Sequence, residues 1–495
     1  MDFLSPRAHA TPHRAALIWG KRALTYRELD AWVTALAQRL TQEGVIAGTR
    51  VAALLPKEPA AVAAVHAVAR LGAVLVPLNL RLTADEMRAQ IAHSQATHVL
   101  TTQTAADRAR AVAGERVVIE IANEASGKSE VTTHEGSAGK ETNSAIPHSP
   151  FAILFTSGTT GHPKAAVLTA ANFYWSAVAS AFRLGVLPDD RWLLTLPLYH
   201  VGGLSIALRS ALYGTTVVLP EIDTSYNPLR LYETLVKNRV TLVSLVPTQL
   251  HRLLNTVKTP LPKHLRTVLL GGAAAPADLL HEALARGYPV ALTYGLTEAA
   301  SQVATAAPTD VRRSPGSAGR PLLHTRVRVV NAAGRDLPPR EIGEIIVSGP
   351  TVFAGYDRDA RATRAALRDG WLHTHDMGYL DSEGNLWVVN RRDDLIVTGG
   401  ENVYPAEVET VLRQHPAVAD ACVVGLDDAE WGQRVAAAVV LHSGAQTTPA
   451  ALEAHCRQHL AGYKAPRLIR LMPDFPRTAS GKVQRAKVKA LLQRS

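Results

Sequence analysis

Residues 151–164 read Phe151-Ala152-Ile153-Leu154-Phe155-Thr156-Ser157-Gly158-Thr159-Thr160-Gly161-His162-Pro163-Lys164, an apolar run that leads straight into a glycine- and hydroxyl-rich loop ending on a lysine. These are the parts of a phosphate cradle. Glycine lets backbone N–H groups approach an anion, Ser and Thr hydroxyls donate further hydrogen bonds, and Lys164 adds positive charge. The spacing disfavours a Walker A loop. Counted from Gly158, that motif needs glycine at 163 followed by Lys-Ser/Thr, and the chain has Pro163, Lys164 and Ala165. Read alone, the loop also fits a solvated turn.

Outward from this loop, strand-like and helix-like runs alternate. Residues 51–55 read as a strand, 59–71 as a helix and 74–77 as a strand, and Thr83 with Glu86 forms a capping box for the next helix. Residues 122–150 are polar and rich in Gly, Ser and Thr, as expected of an exposed linker. Further strands are expected at 151–155, 192–196, 215–219, 240–246, 266–270 and 290–293, mostly separated by amphipathic helices. That alternation predicts an α/β fold with layered, largely parallel sheets. Around 316–391 short strands and turns suggest a small β-rich subdomain. Pro405 opens a helix with apolar positions at Val408, Val411 and Leu412. The expected division is a large N-terminal domain over 1–391, with two α/β subdomains and the β-rich one, and a small α+β domain over 392–495.

Composition agrees with an ordinary soluble globular protein of two or more domains. A chain of 495 residues, 47% hydrophobic and 19% charged, is too long for one core and too apolar for disorder. The N-terminal MDFLSPRAHATPHR lacks the apolar region of a secretory signal, and His66, Arg70 and Pro77 interrupt the only near-membrane stretch at 60–80. Two cysteines, Cys422 and Cys456, exclude a disulfide framework and a cysteine zinc site, so a cytoplasmic location is expected. The net charge of +10 fits either scattered surface charge or attraction of polyanionic small molecules. Aromatics are only 5%, without a basic stripe between them, which speaks against nucleic acid. Small-molecule partners without a membrane span are expected, and a homo-oligomer is left open.

The run Thr156–Lys164 resembles the phosphate-loop motif of the adenylate-forming superfamily, which includes acyl-CoA synthetases, adenylation domains and luciferases. Further motifs resembling that superfamily follow in order: Pro197-Leu198-Tyr199-His200-Val201-Gly202-Gly203, Gly271-Gly272-Ala273-Ala274-Ala275-Pro276, Tyr294-Gly295-Leu296-Thr297-Glu298, His375-Asp376-Met377-Gly378, Arg391-Arg392-Asp393-Asp394, Thr398-Gly399-Gly400-Glu401-Asn402 and Pro476-Arg477-Thr478-Ala479-Ser480-Gly481-Lys482. The likeness spans essentially the whole chain.

The resemblance implies an enzyme in which a carboxylate attacks the α-phosphate of ATP, and a thiol then takes the acyl group from the adenylate. ATP and CoA would be co-substrates and Mg²⁺ the cofactor. It implies that Ser157, Gly158, Thr159, Thr160, Gly161 and Lys164 hold phosphate. Gly272, Ala273, Ala274, Tyr294 and Gly295 would enclose the adenine, Thr297 would contact the α-phosphate, and Glu298 with Thr156 would hold Mg²⁺. Asp376 and Arg391 would bind the ribose. Lys482 would bridge the carboxylate and α-phosphate, and His200, Thr297 and Glu298 complete the catalytic set. Asp393 matches a hinge that swings the small, mobile C-terminal domain, withdrawing Lys482 and bringing a Gly399-Gly400 strand to line the CoA tunnel.

The acyl pocket is expected from His200, Gly202, Arg209, Gly271, Leu296, Ser301 and Gln302. Arg209 falls on an otherwise apolar helix expected at 205–213, where it is either a surface residue or a cation for a second carboxylate. The stretches PLYHVGGLSIALRSALYG, VPTQLHRLL and LTYGLTEAASQ resemble the o-succinylbenzoate–CoA ligase family of menaquinone biosynthesis. In that family a basic residue at this position faces the ring carboxylate. Gly202 departs from the Ser often found there. The alternatives are a medium-chain or aryl acyl-CoA synthetase, a carrier-protein-loading adenylating enzyme, or an idle homologue. The retained Lys482, Glu298, Asp376 and phosphate loop argue against the last. A chain with nothing after residue 495 favours CoA over a carrier protein.

Overall fold

The computed structural model describes residues 2–123, 148–156, 163–220, 226–273, 275–390, 395–476 and 483–493. Its strands form four sheets. One has eight strands in the spatial order Ala304–Ala306, Val290–Tyr294, Thr267–Leu270, Leu242–Leu245, Arg191–Leu193, Thr216–Val218, Ala15–Trp19 and Arg22–Thr25. Its inner strands are parallel and the two edge strands antiparallel. Strands such as Leu242–Leu245 and Thr267–Leu270 are buried at every residue, as expected of parallel strands covered on both faces. The strand expected at 192–196 is shorter, Arg191–Leu193. It stops before Pro197, whose missing N–H cannot join a ladder.

The second sheet runs Gly355–Tyr356, Lys164–Thr169, Pro150–Thr156, Val74–Pro77, Arg50–Leu54, His98–Thr102 and Val117–Ile121. The linker expected at 122–150 lies mostly outside the described residues. Strands between Arg326–Val330 and Leu386–Asn390 make an antiparallel five-stranded sheet, where the β-rich texture was expected. The fourth sheet is built only from residues after 395, in the order Glu401–Val403, Ile396–Thr398, Gly432–Leu441 and Val418–Asp428, with Leu468–Leu471 on Gly432–Leu441. Two hydrophobic clusters belong to this part of the chain alone.

Local chemistry sets the helices. Thr83 and Glu86 make the expected capping box for Ala84–Ser94. The helix Pro59–Leu71 is buried along almost its whole length, and its many alanines allow close approach to its neighbours. Within it His66 is buried, with Nδ1 lacking a hydrogen-bond partner among the described residues, and burial pushes its pKa down to about 4. The unfolded chain binds this proton near pH 6.5 and the folded chain does not. Stability is therefore complete above pH 6.5 and declines as pH falls toward 4, by about 1.4 kcal/mol per pH unit inside that window. His66→Leu should flatten the slope of unfolding free energy against pH between these limits. Parallel slopes for the two proteins would remove His66 as its source.

Candidate active site

A cavity of about 1030 Å³ opens beyond the carboxyl ends of the parallel strands, where ligands bind in open α/β sheets. Of the expected site residues, Thr156, Lys164, His200, Gly202, Arg209, Gly271, Gly272, Gly295, Leu296, Thr297, Glu298, Ser301, Gln302, Asp376, Gly399 and Gly400 line it. Ala273 does not line it, and Tyr294 stands behind it. Ser157, Gly158, Thr159, Thr160, Gly161, Ala274, Arg391, Asp393 and Lys482 lie outside the described residues.

The phosphate-loop motif is flanked by an antiparallel strand pair in which Thr156 faces Lys164. A hairpin, and not a strand-to-helix turn, presents these residues, which agrees with the failed Walker spacing. Beside it stands Tyr356, which the sequence reading missed. Lys164 Nζ lies 5.1 Å from the centre of its ring, and its hydroxyl donates to Glu298 Oε1 at 2.9 Å. Burial raises the Glu298 pKa, the Tyr356 hydrogen bond and Lys164 oppose that, and Asp376 adds to it. A carboxylate burdened in this way is one that a cation relieves. Tyr294 Oη donates to Asp376 Oδ2 at 2.6 Å, joining the end of a sheet strand to the β-rich subdomain. Gly295 permits this turn: a Cβ there would sit 1.6 Å from the Ser301 carbonyl oxygen.

The acyl-side helix begins earlier than expected, at Val201. Gly202, Ile206 and Arg209, spaced four and three apart, therefore fall on one helix face toward the cavity. Arg209 is 3% exposed, so the surface reading fails. Its Nη1 donates to Ser180 Oγ at 3.1 Å and Gln302 Oε1 at 3.0 Å, and its guanidinium lies over the Trp192 ring at 5.2 Å. Its Nε is buried without a hydrogen-bond partner, and no described carboxylate pairs with it. Burial lowers its pKa. A buried cation with only neutral neighbours is costly unless an anion arrives.

A family model described as AMP-binding enzyme matches residues 4–357, and one described as AMP-binding enzyme C-terminal domain matches 407–482. The chain belongs to the AMP-binding enzyme family. A 2–succinylbenzoate–CoA ligase of Geobacillus kaustophilus is 40% identical over 496 residues, covering 100% of this chain and 98% of the relative. Two solved structures are of the o-succinylbenzoate CoA synthetase of Bacillus subtilis. A double mutant bound to a product analogue superposes with a TM-score of 0.89 at 38% identity, over 99% of this chain and 98% of that one. The complex with ATP and magnesium gives 0.71 at 37% identity, over 99% of each. Identity is nearly constant, so the gap in score reflects a different arrangement of parts.

In this family member the C-terminal part closes one wall of the cavity. Gly399 and Gly400 form not a strand but the two-residue turn between Ile396–Thr398 and Glu401–Val403, with φ of +58° and +84°. Positive φ at both central residues is the demand of a type I′ hairpin, which glycine meets without strain. Glu401, beside the turn, is buried and accepts hydrogen bonds from Tyr199 Oη at 3.3 Å, His200 Nε2 at 3.2 Å and Arg81 Nη1 at 3.5 Å. Burial alone would raise its pKa, but His200 and Arg81 outweigh this and hold it below the usual range. Lys464 adds a buried bridge, 2.8 Å from Glu86 Oε1 and 2.7 Å from Glu407 Oε1. Glu401 lay within a quoted motif, but nothing in the sequence pairs it with His200.

Proposed function

We propose that this enzyme is an AMP-forming acid–CoA ligase for o-succinylbenzoate. ATP and the acid give the acyl-adenylate and pyrophosphate, and CoA then gives o-succinylbenzoyl-CoA and AMP. The observation that carries the substrate is Arg209, a buried guanidinium on the cavity wall whose protein partners are all neutral. A ring carboxylate supplies the missing anion, which a simple fatty or aryl acid does not.

Lys164 and the phosphate loop hold the triphosphate, Thr297 touches the α-phosphate, and Asp376, oriented by Tyr294, takes the ribose. Glu298 and Thr156 fit Mg²⁺, a hard cation that accepts one carboxylate among phosphate oxygens and neutralises their charge when bound. The carboxylate oxygen attacks the α-phosphorus and the pyrophosphate oxygen leaves. In the second step the CoA sulfur attacks the acyl carbon and AMP departs. Gly399 and Gly400 line the thiol's approach. The small domain, 392–495 with its hinge at Asp393, serves both steps in two positions. Its separate sheet and cores, and the higher score against the product-analogue complex, support the thioester-forming position here. No helix among the described residues is long and apolar enough to cross a membrane, and the buried free thiols of Cys422 and Cys456 fit the reducing cytosol.

ATP–pyrophosphate exchange with a panel of acids, then acyl transfer to CoA or to a carrier protein, tests this reading. Exchange driven better by mono-acids, or transfer only to the carrier, would replace it. Glu401→Ala should slow thioester formation from preformed acyl-adenylate by about ten- to a hundredfold, the cost of losing hydrogen bonds to a charged group worth about 1.5–3 kcal/mol. Pyrophosphate exchange should be preserved, because those contacts belong to the other domain position. Equal losses in the two assays would detach Glu401 from that position.

A further inference from the structure

Arg209 is held by a chain of neutral groups. Gln302 is buried, and while its Oε1 accepts from Arg209 Nη1 at 3.0 Å, its Nε2 donates to Thr305 Oγ1 at 2.9 Å. Thr305 Oγ1 is in turn 2.8 Å from Thr293 Oγ1, and Thr293 donates to the Ala304 carbonyl at 3.0 Å. Both ends of the amide are therefore committed inside the protein. A flipped amide would set its NH₂ against the guanidinium, donor against donor. Ser180 takes the other contact of Nη1, and Trp192 offers only a ring face. Its Nε is buried and has no hydrogen-bond partner among the described residues, and Nη2 is not among the buried unpartnered atoms. Arg209 nonetheless lines the cavity, where a carboxylate can hydrogen-bond a guanidinium.

We infer that Gln302 is a specificity-determining positioning residue, which fixes the Arg209 guanidinium in place without neutralising it and so reserves its charge for the substrate's second carboxylate. This rests on the reading that Arg209 receives that carboxylate. Sequence reasoning expected Gln302 to touch the acyl group directly, whereas its polar atoms act through Arg209. Glutamate has nearly the same shape but would form an internal ion pair at the same position. The pocket would then have no net cation to offer, and a second carboxylate would meet a like charge.

The test is Gln302→Glu, assayed by pyrophosphate exchange with o-succinylbenzoate and with the benzoylpropionate that lacks the ring carboxylate. The expected result is a loss of about thirtyfold or more in kcat/KM toward o-succinylbenzoate, the lower end for losing a buried charge partner. The loss should appear in KM for the acid, with KM for ATP unchanged and benzoylpropionate retained or improved. Gln302→Met, neutral and of similar size, should raise KM for o-succinylbenzoate alone, by less. Preference between the two acids unchanged in Gln302→Glu overturns the inference, as does equal loss of both acids in Gln302→Met. Arg209→Ala measured alongside separates the two failures. If it discriminates between the acids and Gln302→Glu does not, only the role of Gln302 falls; if it does not discriminate, the dicarboxylate pocket itself falls.

Discussion

Arg209→Ala is expected to lose about thirty- to several-thousand-fold in kcat/KM toward o-succinylbenzoate, the equivalent of the 2–5 kcal/mol for truncating one partner of a buried charge pair. Benzoylpropionate should be hardly affected. The size of the effect follows from burial: Arg209 is 3% exposed, so water cannot take over its role cheaply. The variant also leaves the free enzyme with less to tolerate, because an uncompensated buried cation has gone. Its thermal stability should therefore hold or rise while its activity falls, and a melting curve beside the kinetics distinguishes this from misfolding. Arg209→Lys should retain part of the activity, since the charge remains but the planar fork is lost. A mutant that loses both acids equally would return the pocket to a general acyl-CoA synthetase.

Lys482→Ala is expected to cut adenylation by about two to three orders of magnitude, the size associated with losing one preorganised charge contact to a transition state. The expectation comes from the motif ending on Lys482, which resembles the family motif whose lysine would bridge the carboxylate and the α-phosphate as charge builds between them. Thioester formation from preformed acyl-adenylate and CoA should be nearly untouched, because on the proposed reading the position that brings the Gly399-Gly400 turn and Glu401 to the cavity serves that step. Comparable loss in both half-reactions would end the assignment. Paired with Glu401→Ala, the two variants should fail in opposite halves of the cycle.

Much of the architecture could be read before any coordinates. The helix Pro59–Leu71 and the strand Val74–Pro77 fall where their apolar runs and flanking residues place them, and so does the Thr83–Glu86 cap. These features are local: a proline at a first turn or a Thr three residues before a Glu acts within one turn of chain. Boundaries set by tertiary contact were less legible. The acyl helix starts at Val201 and not at 205 because Gly203 packs against the preceding backbone, where a Cβ would lie 2.1 Å from the Pro197 carbonyl oxygen. Likewise Gly399 and Gly400 looked like strand residues until the pairing of Thr398 with Glu401 made them a turn.

The ordered motifs were enough to establish the family and the two-step chemistry, because each motif must present particular atoms to a nucleotide and the demand survives in the residue order. The sequence also singled out Arg209, on an otherwise apolar helix, but left a surface position open as the alternative. Only the folded chain decided that. Burial, the neutral partners Ser180 and Gln302, and the absence of a described carboxylate beside it are relations among residues up to 93 positions apart. The same holds for Tyr356 on Glu298, 58 positions away, and for Glu401 on Tyr199, 202 positions away. A hydrogen bond acts over about 3 Å, and no sequence pattern records which distant side chains the fold brings within that distance.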